Sequence, residues 1–309
     1  MNLYPSNQIN LYEHKKLFNL LSNVYENIGS SSKILLSGEK GIGKSTLAYH
    51  IINYVLSKKE EDSYDCKNNV INVNNRSFKL IQNKSNPNFH LLDISVDKKF
   101  IDINQVRELI SILNKSSFNN KPRFVLIDNI ELLNINSVNA LLKIIEEPNE
   151  NIHFILINNC KRILPTIKSR CLNFNVSINY SQSIKIINQI LNDDIFNIIN
   201  NDLVNNYMTP GLFVKIINFS NEFDINLKNL DLKKFLKVFI NQKLYKKDNS
   251  SNKIIYFFIE LYFRKNVSVT NIILLDTYYY FLKKISNTKI YNLDEDSLFV
   301  EFEEKVLNG

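Results

Sequence analysis

From Lys33 to about Phe174 the chain alternates short apolar runs with amphipathic stretches. Four runs, KILLS (Lys33 to Ser37), FHLLDI (Phe89 to Ile94), RFVLID (Arg123 to Asp128) and HFILIN (His153 to Asn158), lack polar alternation. That is the pattern of strands buried on both faces. Between them Val106, Leu109, Ile110 and Leu113 recur at i, i+3, i+4, i+7, and Val138, Leu141, Leu142 and Ile145 repeat the spacing, with Pro148 closing the second helix. Strands alternating with helices predict an α/β class, a parallel sheet with helices on both faces. The stretch 57–87 is polar, Asn-rich and weakly periodic, and is read as a loosely structured insertion. After Asn175 the strands stop. SQSIKIINQILN, DIFNIINNDLVNN and TPGLFVKIINFS each predict a helix, the last started by Thr209 and Pro210. From about Asn221 the pattern is helical throughout, in DLKKFLKVFINQKLY, KIIYFFIELYFRK and TNIILLDTYYYFLKKI. The expected layout is an α/β domain over 1–175, a small helical domain over 176–222 and a larger helical domain over 223–309.

With 309 residues, 44% hydrophobic and 22% charged, the chain has material for a large core and more than one domain. Its net charge of +7 favours an acidic partner such as nucleic acid, although a Lys-, Asn- and Ile-rich composition produces the same excess. The first residues carry no basic stretch followed by an apolar run, and no uncharged run approaches the ~20 residues of a spanning helix, so a cytoplasmic protein is expected. Cys66, Cys160 and Cys171 are scattered, and His14, His50, His90 and His153 do not pair with them, so no metal framework is expected.

One stretch changes the picture. GEKGIGKST fits G-x-x-x-x-G-K-[ST] through Gly38, Gly43, Lys44 and Ser45, with a strand before it and a helix after it. Glycines let backbone N–H groups curl around phosphates, a helix N-terminus adds positive potential, Lys44 would reach the β- and γ-phosphates, and Ser45 would hold Mg²⁺. The competing reading is a glycine turn that binds nothing. Hydrolysis needs an acidic pair at a strand end, one acid for Mg²⁺ and one to polarise water. Here Asp128 is followed by Asn129, and an amide cannot accept a proton. Glu131 should not point into the same place and is read as a solvated or capping carboxylate. Binding without efficient turnover is therefore expected. Asn158, ending an apolar strand, is placed to sense a γ-phosphate or is an ordinary strand-end amide. Arg170, in LPTIKSRC, can act on a neighbour's site or sit in a local ion pair. Cys171 is read as a small buried apolar residue, with no base nearby in sequence.

LLSGEKGIGKSTLA, IDINQVRELISIL, FVLIDNIELLNINSVNALLKIIEEPNENIHFILINN and RILPTIKSRC cover most of residues 33 to 174. In that order they resemble the clamp-loader branch of the AAA+ ATPases, most narrowly the delta-prime family of bacterial DNA polymerase III subunits. Beyond Asn175 the resemblance is architectural only. It implies an AAA+ P-loop domain, a three-helix lid and an all-helical collar. It implies ATP held by Gly38, Gly41, Gly43, Lys44, Ser45, Thr46, Asp128 and Asn158, with Mg²⁺ at Ser45 and Asp128. Arg170 becomes an arginine finger serving an adjacent motor subunit in trans. The implied partners are gamma/tau-type motor subunits and delta, with the sliding clamp and primed DNA reached through the assembly, and no membrane. Three departures stand out. Only Cys66 lies where relatives often carry a four-cysteine zinc module, Asn129 replaces the second acid, and TPGLFVK has no arginine after Gly211, Lys215 being the nearest cation. An active AAA+ ATPase and a DNA-binding module remain the rival readings.

Overall fold

A computed structural model describes residues 4–27, 31–94, 98, 100–115, 119–148, 151–247, 249–266 and 272–308. The chain forms two compact units, Met1–Ile186 with Thr209–Gly211, and Ile187–Met208 with Leu212–Gly309.

The first unit is built on a parallel sheet of β1 (Lys33–Ser37), β2 (Phe89–Leu92), β3 (Arg123–Ile127), β4 (Ile152–Asn158) and β5 (Leu172–Asn175), in the order β2-β3-β4-β1-β5. Successive side chains point to opposite faces. Ile34, Leu36, Phe124, Leu126, Ile155 and Ile157 pack with α1 (Lys15–Asn27), α2 (Lys44–Ser57) and α3 (Arg76–Gln82). Leu35, Val125, Ile127, Phe154 and Leu156 pack with α4 (Ile103–Leu113), α5 (Ile135–Glu146) and α6 (Pro165–Lys168). Both faces are covered, which is why β1, β3 and β4 lack polar alternation. Helix α4 starts in a capping box between Asp102 and Gln105. The edge strand β5, sequence LNFN, has no apolar run to announce it; its register with β1 sets it.

The stretch 57–87 corrects the expectation of a loose insertion. Tyr64, Ile71, Phe78 and Ile81 are buried in the same core as α2. Asn75 caps α3, accepting from the Phe78 N–H at 2.8 Å and the Asn53 amide at 3.0 Å while donating to the Asp62 carbonyl at 2.7 Å. Amides, not apolar periodicity, organise this segment.

After α7 (Tyr180–Leu191), the second unit contains α8 (Ile195–Ile198), then α9 (Pro210–Glu222), α10 (Leu232–Asn241), α11 (Asn249–Asn266), α12 (Ile272–Tyr291) and α13 (Glu295–Phe302). Helix α9 begins at Pro210 as expected. DIFNIINNDLVNN is not one helix. It breaks into α8 and a 3-10 turn at Asn201–Leu203, because the Asp194 and Asn200 side chains cap new N–H groups at Phe196 and Asp202. Thr270 and Asn271, at the start of TNIILLDTYYYFLKKI, lie outside the described residues, and α13 continues the helical pattern. The aromatic interior includes Phe219 of α9 stacked on Phe239 of α10 at 4.9 Å and Phe235 against Phe258 at 4.5 Å. This packing draws most of the expected segments 176–222 and 223–309 into one unit. Among the described residues no helix is long and apolar enough to cross a membrane.

Candidate nucleotide site

The candidate residues gather at the carboxyl ends of the strands, where open α/β sheets form their binding crevice. Ser37 lies opposite Asn158 in the register, and the Gly38 N–H donates to the Asn158 carbonyl at 3.2 Å. The loop therefore leaves β1 directly beside the end of β4. A Cβ on Gly38 would stand 2.2 Å from the Val176 carbonyl oxygen, so only glycine fits. Gly41 and Gly43 adopt φ of 89° and 94°, the left-handed region that glycine enters without strain. Thr209 Oγ1 donates to the Lys40 carbonyl at 3.0 Å, and the Gly211 N–H donates to the Gly41 carbonyl at 2.9 Å. His14 donates a ring N–H to the Ile42 carbonyl at 2.6 Å.

Lys44 and Thr46 fall in the first turn of α2, with Ser45 between them. Lys44 is buried, its Nζ donating to the carbonyls of Gly38 at 2.8 Å and Glu39 at 2.6 Å. Burial pushes its ammonium down to about 8, opposed by the charge of Asp128. Ser45 Oγ donates to Asp128 Oδ2 at 2.6 Å, and the Asn129 N–H donates to Asp128 Oδ1 at 2.8 Å. Burial holds the Asp128 carboxyl above the usual range despite the Ser45 hydroxyl, and Asp93 pushes the same way. Asn158 donates its amide to the Lys161 carbonyl at 3.0 Å, leaving its buried Oδ1 without a hydrogen-bond partner.

Asn129 sits in the left-handed region at φ 57°. Its amide donates to Asp93 Oδ1 at 2.8 Å and its Oδ1 accepts from the Asn159 amide at 3.0 Å. The turn it makes swings Glu131 back toward β4, where its carboxylate accepts from the Asn159 amide at 3.0 Å and the Asn159 N–H at 3.3 Å. Glu131 is thus a capping carboxylate held by Asn159, in keeping with the capping reading, and its charge adds a small opposing effect on Lys44. Sequence reasoning missed Asp93, Asn159 and His14, which no local spacing marks.

Arg170 does not join this cluster. Its guanidinium pairs with Glu146 at 2.6 Å and donates to the Thr166 carbonyl at 2.9 Å, on a side chain about a third exposed. Cys171 is buried, and burial raises its thiol to about 11. Lys215 belongs to the second unit.

A family model described as "DNA polymerase III, delta subunit" matches residues 13–179. The chain is 34% identical over 183 residues to DNA polymerase III subunit delta' of Buchnera aphidicola subsp. Baizongia pistaciae, covering 57% of this chain and 51% of that one. Over 139 residues it is 32% identical to DNA polymerase III subunit delta' of Pseudomonas aeruginosa, covering 45% and 40%. It is also 34% identical over 146 residues to DNA polymerase III subunit gamma of Buchnera aphidicola subsp. Acyrthosiphon pisum, covering 47% and 38%. The matches thus span about half or less of these relatives. A crystal structure of a DNA polymerase III gamma subunit-related protein from Thermotoga maritima shares the fold, with a TM-score of 0.55 at 17% identity over 92% of this chain and 96% of that one.

Proposed function

Because the chain belongs to the family described as DNA polymerase III, delta subunit, we propose that it is a clamp-loader subunit of delta-prime type. In this reading it binds ATP with Mg²⁺, turns it over poorly, and lends Arg170 to a neighbouring motor subunit. Bound ATP would bring phosphate charge and a Mg²⁺ ion to the crevice. The residues present fit that group: glycines clear the loop, Lys44 is a buried cation, and Asn158 Oδ1 is an unpartnered buried acceptor. Lys44 would leave the Gly38 and Glu39 carbonyls for phosphate, while Ser45 and Asp128 would hold Mg²⁺. Burial opposes the charged forms of both Lys44 and Asp128, so an external ligand of matching charges relieves each.

The observation that carries the reading is this Lys44, Ser45 and Asp128 cluster beside an amide, Asn129, bonded at both ends. An amide so held neither accepts a proton from water nor turns toward it. Segment 176–222 would serve as a lid and 223–309 as the collar joining gamma/tau-type and delta subunits in the cytoplasm. The sliding clamp and primed DNA are then met through the assembly.

The test is clamp- and DNA-stimulated ATPase of a loader rebuilt with its partner subunits, native against Arg170→Ala. Arg170's partly exposed ion pair is worth at most about 1 kcal/mol, so the variant should fold and assemble. The neighbouring site it serves should lose about a thousandfold in turnover. Unchanged turnover in an intact complex would remove Arg170 from the mechanism. Rapid turnover by the isolated chain would favour an active ATPase instead.

A further inference from the structure

A second charged feature lies wholly within the second unit, and the nucleotide site makes no use of it. A cavity of about 890 Å³ opens between the start of α10, the end of α11 and the turn at Asn201–Leu203. Four lysines line it: Lys233, Lys234, Lys237 and Lys265. Two of them are compensated. Lys265 pairs with Asp202 at 3.0 Å, and Lys234 pairs with Asp231 at 3.3 Å. Both carboxylates are also committed to backbone, Asp202 accepting from the Leu232 N–H at 2.8 Å and Asp231 from the Lys234 N–H at 2.8 Å. Lys233 and Lys237 have no ion-pair partner among the described residues. One turn apart on α10, they stand on one face about 6 Å from each other. Lys233 also lies in the first turn of α10, where the helix dipole adds to its charge instead of offsetting it.

We propose that this cavity binds the phosphate backbone of a single nucleic-acid strand, with Lys233 and Lys237 as the contacting cations. The volume exceeds what one inorganic phosphate needs and suits a few linked nucleotides. Lysines, not the planar forks of arginine, are point charges that follow a flexible backbone without demanding one geometry. Tyr262, half-buried in the lining, supplies an aromatic side chain of the type on which bases stack, and Asn266 adds a polar edge. The concave shape favours a single strand over a duplex. This site is independent of the nucleotide reading and survives if that reading fails.

The test is fluorescence anisotropy of a labelled oligothymidylate of about 16 nucleotides with the full chain, across a salt series. The variant Lys233→Gln/Lys237→Gln keeps the apolar stems while removing two charges. Lys15→Gln/Lys16→Gln removes two exposed charges from α1 and serves as the charge-matched control. Two lost phosphate contacts should flatten the slope of log K against log salt by about 1.4. Between roughly 50 and 200 mM salt, the native chain should then lose about sevenfold more affinity than the cavity variant. The control should keep the native slope, and melting curves should coincide for all three proteins. Equal flattening by both variants would reduce the effect to diffuse net charge and overturn the site. An unchanged slope in the cavity variant would overturn it as well. Polyglutamate competing as well as the oligonucleotide, with the same lysine dependence, would reassign the cavity to an acidic protein segment. Displacement by inorganic phosphate at matched phosphate concentration would reduce it to a small-anion site.

Discussion

All four histidines of this chain are titrated downward by burial, and mild acid should therefore loosen the first unit before its carboxylates protonate. His50 and His153 carry the argument. His50 is fully buried on α2, bonded to the Tyr64 hydroxyl at 2.9 Å and the Gln8 carbonyl at 3.2 Å, and burial takes it to about 4. His153, on β4, is stacked on Phe124 at 5.1 Å, and its Nδ1 accepts from the Ser32 N–H at 3.2 Å. Burial takes it to about 4 as well. Both are neutral in the folded chain, whereas unfolded histidine binds a proton near 6.5. The unfolded state thus holds more protons between those values, so stability falls as pH drops below about 6.5 and keeps falling to about 4. At pH 5 each histidine removes about 2 kcal/mol, and the pair about 4 kcal/mol.

That is a large share of a typical stability of roughly 5–15 kcal/mol. For a unit of this size it corresponds to a fall in Tm on the order of 10 °C between pH 7 and pH 5. Thermal melts followed by circular dichroism at matched ionic strength would read it. Replacing His153 with Asn keeps an acceptor near Nδ1 and removes the titration, so H153N should show about half the drop. A Tm flat between pH 7 and 5, or an equal drop in native and H153N proteins, would refute the burial argument for these histidines.

Three further outcomes follow from packing. Asn75→Ala strands the Phe78 N–H, the Asn53 amide and the Asp62 carbonyl, and should cost about 2–4 kcal/mol in urea unfolding; a loss under about 0.5 kcal/mol would mean the 57–87 segment is dispensable. Phe239→Ala empties a fully buried site against Phe219 and Phe235 and should cost about 3–5 kcal/mol, read by calorimetry as a lowered transition. Gly38→Ala drives a methyl into the Val176 carbonyl; it should destabilise by about 3 kcal/mol or more and abolish binding of a fluorescent ATP analogue, whereas a native-like melt would contradict the close approach.

How much of this was legible depended on where the information sat. Strands β1, β3 and β4 could be read because burial on both faces leaves mostly apolar residues along them, without polar alternation. The glycine-rich turn between β1 and α2 could be read because its requirements are local: two left-handed glycines and a helix start within nine residues. Asp128 followed from ending an apolar strand. The network of Asp93, Asn129, Asn159 and Glu131 could not be read, since it depends on a left-handed turn at Asn129 and on strands adjacent only in space. His14 reaches the Ile42 carbonyl across 28 positions of sequence, beyond any spacing rule.

The error over 57–87 has a different origin, and it follows from composition. Polarity ordinarily marks the surface, and an Asn-rich stretch without periodicity reads as loop. Within 57–87 Asn69 and Asn75 are buried, as are Asn53 and Asn88 on either side of it. Asn88 and Asn119 exchange amide hydrogen bonds at 3.0 Å in both directions, and Asn88 also holds the Lys121 carbonyl. An amide offers both a donor and an acceptor, so a buried amide can satisfy backbone groups that would otherwise be stranded, at the cost of its own desolvation. In a chain rich in asparagine, such residues become interior brackets, and hydropathy then reports composition where it should report burial. Asn129, next to Asp128, is a further amide held on both sides. There the amide bears on chemistry: it braces the turn through Asp93 and Asn159, but it cannot take a proton.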